Sequence, residues 1–72
     1  MYKIILCSCH DEASACAAKA RMKNIGIYTE VIANGDSYEL LGGQFMNKND
    51  AEMLSDVLIR KGFYNIVRYV EG

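Results

Sequence analysis

Proline is absent from this 72-residue chain, and with it the usual mark of a linker between domains. Glycine and asparagine concentrate at Asn34-Gly35-Asp36 and Gly42-Gly43, which reads as punctuation inside one domain spanning residues 1–72. An excess of one charge is lacking too. Eight Lys and Arg face nine Asp and Glu, for a net charge of -1, and no concentrated basic surface is expected to draw nucleic acid or an anionic membrane. Lys19, Arg21, Lys23, Arg60 and Lys61 fall on expected helix backs and ends, where solvent and the helix dipole account for them. The longest apolar run, Ile4-Ile5-Leu6-Cys7, is too short for a bilayer span or a signal segment, so no export address is expected. Three cysteines cannot all pair, which excludes a fully closed disulfide scaffold and suits synthesis in a reducing compartment.

Candidates for catalysis are few. His10 is the only histidine, and a general-base scheme would set it beside Cys7 or Cys9 as nucleophile and Asp11 or Glu12 as orienting acid. Neighbours in sequence rarely aim their side chains at one another, so His10 reads as a loop residue next to a helix cap. Gly42-Gly43 has neither the lysine nor the spacing of a phosphate loop. A chain this short buries only about 60% of its unfolded surface, so a thin stability margin is expected.

What is present is organised into alternating strands and helices. Tyr2 to Cys9 reads as a strand with Ile4 and Leu6 on one side and Lys3, Ile5 and Cys7 on the other. Asp11 offers a carboxylate to the free amides of a helix over Ala13 to Lys23, where Ala15, Ala18, Met22 and Ile25 share a face. Gly26 closes it. Tyr28 to Ala33 reads as a second strand, and Asn34-Gly35 predicts a type I′ hairpin with positive φ at both residues. Ser37 to Leu41 returns antiparallel. Asn47 to Asp50 then cap a second helix, lined on one face by Ala51, Leu54 and Leu58 and ended by Gly62. Phe63 to Val70 forms the last strand.

Shifting the sequence by 36 residues pairs Tyr2 with Tyr38, Ala15 with Ala51, Gly26 with Gly62, Tyr28 with Tyr64 and Val31 with Val67. Each pair falls at the same point of a βαβ unit, as do Ile4 with Leu40, Met22 with Leu58 and Ile27 with Phe63. Two such units joined by a hairpin predict an α+β fold of the split βαβ (β-α-β-β-α-β), ferredoxin-like kind. Its four-stranded antiparallel sheet has the order 4-1-3-2, with both helices on one face and the other face bare.

The strand Tyr2-Lys3-Ile4-Ile5-Leu6-Cys7-Ser8-Cys9 and its echo from Tyr38 to Phe45 resemble the doubled signature of the SPOR (sporulation-related) domain. Gly43-Gln44-Phe45, Asn47-Lys48-Asn49-Asp50-Ala51 and Lys61-Gly62-Phe63 fit the second half of that pattern. The first half keeps Ser8, Ala15 and Gly26 but has Cys7 and Cys9 where glycine and phenylalanine are usual. The resemblance implies a non-catalytic module that binds peptidoglycan glycan strands, of the kind found on cell-division and sporulation proteins. It further implies the C-terminal targeting domain of a cell-wall amidase or phage endolysin, reaching the bacterial cell wall after cytoplasmic synthesis or release by lysis. The bare sheet face is then the binding surface. Carried onto this chain, the family's sheet positions fall at Ile5, Ser8, Ser37, Glu39 and Leu41, with Val67 and Tyr69 adding contact from the last strand. Tyr2, Tyr28, Tyr38 and Tyr64 are expected to pack at strand ends, leaving Tyr69 as the ring that stacks.

Two other readings arise from the residues. Ile5, Val31, Leu41 and Val67 together would make an apolar patch for a homodimer or another protein. Single-strand RNA platforms on the same fold place aromatics where Ile5 and Leu41 stand, which argues against that partner. Cys7, Cys9 and Cys16 with His10 suit a soft metal by ligand type, and metal-chaperone domains of this element order carry two cysteines in the same loop. Those domains use a Cys-x-x-Cys spacing, whereas Cys-x-Cys places Cys7 and Cys9 on one face of a strand. The expectation is no metal and no cofactor, with Cys9 in the place of a buried phenylalanine and Cys16 packed as a small hydrophobe.

Overall fold

The computed structural model describes residues 1–71. Strand β1 (Tyr2–Cys9) leads to helix α1 (Glu12–Asn24), strands β2 (Glu30–Asn34) and β3 (Ser37–Phe45), helix α2 (Lys48–Arg60) and strand β4 (Ile66–Tyr69). All three strand pairings are antiparallel in the order β2-β3-β1-β4. Helix α1 packs on β1, β2 and β3 and α2 on β1, β3 and β4, which gives the split βαβ arrangement with one sheet face left open.

The repeat is carried by the hydrogen-bonded register itself. Shifting every partner by 36 residues turns Tyr2↔Phe45 into Tyr38↔Cys9, Lys3↔Gln44 into Glu39↔Ser8, and Ile4↔Gly43 into Leu40↔Cys7. The same shift converts the β1–β4 ladder into the β3–β2 ladder, Ile5↔Ile66 becoming Leu41↔Glu30. Ile5↔Leu41 maps onto itself, so a pseudo-twofold axis runs through the sheet between these two side chains.

Both helices start and stop by the same physics. Asp11 accepts from the Ser14 amide at 2.7 Å and Asn47 from the Asn49 amide at 3.0 Å, each filling one orphan donor of a helix N-terminus. At the other ends Gly26 (φ 85) and Gly62 (φ 91) take the left-handed conformation. The Ile27 and Phe63 amides then donate back to the Met22 and Leu58 carbonyls at 2.9 and 2.8 Å, the double turn-back of a Schellman close. Ala15 and Ala51, fully buried, let the helices lie close over Ile4 and Leu40, the largest side chains with no exposure. Burying each of these two contributes roughly 1.5–3 kcal/mol.

Three expectations need correction. The hairpin turns on Gly35 and Asp36, with Asn34 paired to Ser37. Only Gly35 has positive φ, so the turn has glycine at its first central position, as type II′ requires, and is not the expected type I′. The strict alternation of β1 also fails. Leu6 and Gly42, related by the repeat, are each skipped in the β1–β3 register, and an extra residue resets the two-residue period. Cys7 therefore sits opposite buried Leu40 on the helix side instead of beside Ile5. Finally, β2 and β4 begin later than expected and β3 runs on to Phe45. A central strand keeps pairing with β1 where the edge strand beside it has not begun.

Candidate functional site

Because the edge strands are short, Gly42–Phe45 of β3 has no β2 partner and Leu6–Cys9 of β1 has no β4 partner. A groove opens at each of these uncovered stretches. One, of about 360 Å³, is lined by Tyr28, Thr29, Glu30, Leu41 and Gly42 to Gln44. The other, of about 180 Å³, is lined by Ile5 to Ser8, Tyr64, Asn65 and Ile66, with Glu39 and Arg68 added. Every residue of the first groove has its repeat mate in the second, so the pair are symmetry copies at opposite corners of the sheet. Tyr28 and Tyr64 are 75% and 86% exposed; these are the rings at the groove mouths, contrary to the expectation that they pack.

Between the grooves lies a depression of about 410 Å³ lined by Lys3, Ile5, Ile32, Ala33, Asn34, Glu39, Arg68 and Val70. Lys3 with Glu39, Ile32 with Arg68 and Asn34 with Val70 are repeat mates, which places the depression on the pseudo-twofold axis. Chemistry breaks the symmetry here. Arg68 donates to the Glu39 carboxylate at 2.8 Å, and the Asn34 amide donates to the same oxygen at 3.2 Å. The Glu39 side chain keeps only 5% of its exposure, so its charge is held by these two donors and not by solvent. The hydrogen bond to Glu39 raises the Arg68 guanidinium above its ordinary value, which keeps it a permanent cation on this face.

Partners that stand opposite one another share a face, and this decides where each expected site residue lies. Ser8 and Glu39 are paired, as are Ile5 and Leu41, and all four are on the open face; Ser37 follows by alternation and donates its hydroxyl to the Asn34 carbonyl at 3.0 Å. Val67 pairs with buried Ile4, and Tyr69 pairs with Tyr2. Both therefore belong to the helix side, and the Tyr69 ring meets the Tyr2 ring edge-on at 5.1 Å between centroids. The apolar patch also dissolves on inspection. Val31 pairs with Leu40 on the helix side, while Ile5 and Leu41 are 4% and 5% exposed and have little surface to offer a partner. Lys3, Gln44, Tyr28, Tyr64 and Arg68 are the open-face groups that sequence reasoning passed over. The repeat was the signal for the two tyrosines, since it placed them just before matching edge strands.

Cys7 and Cys9 stand side by side on the helix side of β1 with sulfurs 4.0 Å apart. Burial pushes the Cys7 thiol up, the Cys9 thiol adds to this, and nearby Arg21 opposes it. Cys16 is exposed on α1, against the expectation that it packs. His10 is exposed at the bend before α1. Among the described residues no three His, Cys, Asp or Glu side chains gather around a common point, and no helix is long and apolar enough to cross a membrane.

Comparison with family models, curated proteins and solved structures finds no match to this chain.

Proposed function

We propose that this chain is a non-catalytic module that binds peptidoglycan glycan strands along the open face of its sheet, from the Tyr28 groove across the central depression to the Tyr64 groove. The observation that carries this reading is the pair of symmetry-related grooves, each with an exposed tyrosine at its mouth and polar groups along its floor. A sugar ring is apolar on its faces and hydroxylated at its rim. It stacks on an aromatic ring through the first and hydrogen-bonds through the second. Glu30 and Gln44 supply polar partners in one groove and Ser8 in the other, while Lys3 and Arg68 line the depression between them. Two grooves with exposed rings on one face can each hold a sugar of one extended strand and gain avidity. The SPOR-like motifs point to the same ligand and to a targeting role at the bacterial wall beside a lytic enzyme.

Pelleting with purified sacculi, before and after an amidase strips the peptide stems, tests the reading. Binding that rises on stripping is expected. Tyr28→Ala and Tyr64→Ala should each weaken it on the order of tenfold, while Tyr69→Ala, on the other side of the sheet, should leave it unchanged. If the chain pellets with neither form of sacculus, the proposal is wrong.

A further inference from the structure

The sulfurs of the β1 cysteine pair have no part in the proposed glycan contacts, although Cys7 borders the Tyr64 groove. Both thiols lie on the helix side, Cys7 opposite Leu40 and Cys9 opposite Tyr38, and both are half-buried. The Leu6 bulge puts them there: without the extra residue, both would face the open side. Cys7 lines an apolar groove of about 480 Å³ with Ala18, Arg21, Met22, Ile25 and Phe63. This groove therefore brings together a thiol, a thioether and a guanidinium beside a second thiol.

From this geometry we infer that Cys7 and Cys9 form a binding site for a soft monovalent metal ion, copper(I), with the Met22 thioether as the neighbouring third sulfur. Thiolate–metal bonds are about 2.3 Å long, and two sulfurs 4.0 Å apart then subtend roughly 120° at the ion, the angle of a trigonal site. Thiolate and thioether donors select copper(I), whereas hard cations need oxygen ligands and zinc needs four donors. No third His, Cys, Asp or Glu joins the pair among the described residues, which disfavours zinc. Loading one copper(I) releases the two thiol protons and leaves the bis-thiolate complex with one negative charge. Arg21, whose charge already acts on Cys7, offsets that charge. Ala18, Ile25 and Phe63 line the rest of the groove and offer the ion no further ligand.

The test is anaerobic titration of the reduced chain with copper(I) in competition with a chromophoric chelator, together with X-ray absorption at the copper edge. The expected result is one copper per chain with three sulfur neighbours and no nitrogen. Cys7→Ser and Cys9→Ser should each lower affinity by about 100-fold or more, since even loss of a supporting group outside the ligand shell costs 10–100-fold. Met22→Leu should reduce the sulfur count by one, and Cys16→Ser should change nothing. Far-UV circular dichroism checks that each variant folds, and the sulfur count on the unsubstituted chain is independent of any variant. Copper that binds equally well without Cys7 or Cys9, that needs Cys16, or that shows nitrogen neighbours would overturn the inference.

Discussion

In the second half of the repeat, the buried Ser55 hydroxyl donates to the Asn65 side chain at 2.6 Å, and the Asn65 amide returns bonds to the carbonyls of Ser55 and Phe63 at 3.3 and 3.0 Å. Lys19 and Thr29 hold the same two positions in the first half. No such latch forms there, and Thr29 Oγ1 is buried without a partner. The cores differ in the same sense. Leu54 of α2 fills the space over Gly43, whose absent side chain would meet it at 3.2 Å. The first half has Ala18 and Cys7 at the matching places, and an open groove between them. Two halves with the same register and the same caps thus differ in how firmly the helix is fastened to the sheet. Fastening is a property of a few side chains, while register is a property of the backbone pattern.

The firmest part of the second half should break first. Asn65→Ala leaves the Ser55 hydroxyl and two carbonyls without their buried partner, and a loss of about 3 kcal/mol in chemical denaturation is expected. Leu54→Ala should cost about 2 kcal/mol through the space it leaves. Gly43→Ala would crowd both the Phe45 ring at 3.1 Å and Leu54 at 3.2 Å; Leu54→Ala relieves the second contact, giving a coupling of about 0.5–1 kcal/mol in a double-mutant cycle. The loose half can be tightened. Thr29→Val removes the orphaned hydroxyl and should gain about 1 kcal/mol, and the combined Lys19→Ser and Thr29→Asn should gain at least as much by copying the latch. If that graft gains nothing, the latch is not what separates the halves.

The smallest expected effect is in the caps, where the halves differ by one ionisable group. The Ser14 amide holds the Asp11 carboxyl below its ordinary value, so its folded pKa is lower than its unfolded one. The capping contribution is therefore complete above the unfolded pKa, about 3.9, and is lost as pH falls through the lower folded value. Asn47 does not titrate. Amide exchange on acidification should show the first turn of α1 loosening before that of α2, and Asp11→Asn should abolish the difference.

Much of this was legible in the chain. Capping residues at Asp11 and Asn47, closing glycines at Gly26 and Gly62, and apolar spacings on both helices act within a few residues, and local chemistry decides them. The 36-residue repeat carried the topology as well, because two units that each leave an apolar face uncovered must pack against one another. The open-face site was legible only in part. Ile5, Ser8, Ser37, Glu39 and Leu41 lie on the open face as expected, whereas Val67 and Tyr69 lie on the helix side.

The difference lies in what acts at long range. Sequence by itself determined the elements, their order and the kinship of the two halves, since propensity, capping and periodicity are local or repeat-wide properties. Only the tertiary structure decided which side chains share a face. A face depends on the register between strands far apart in sequence, and one extra residue at Leu6 or Gly42 inverts it. It also decided that Tyr28 and Tyr64 stand exposed, because the edge strands stop pairing short of them, and that Glu39, one carboxylate among many in the sequence, is held by Arg68 across the central strand.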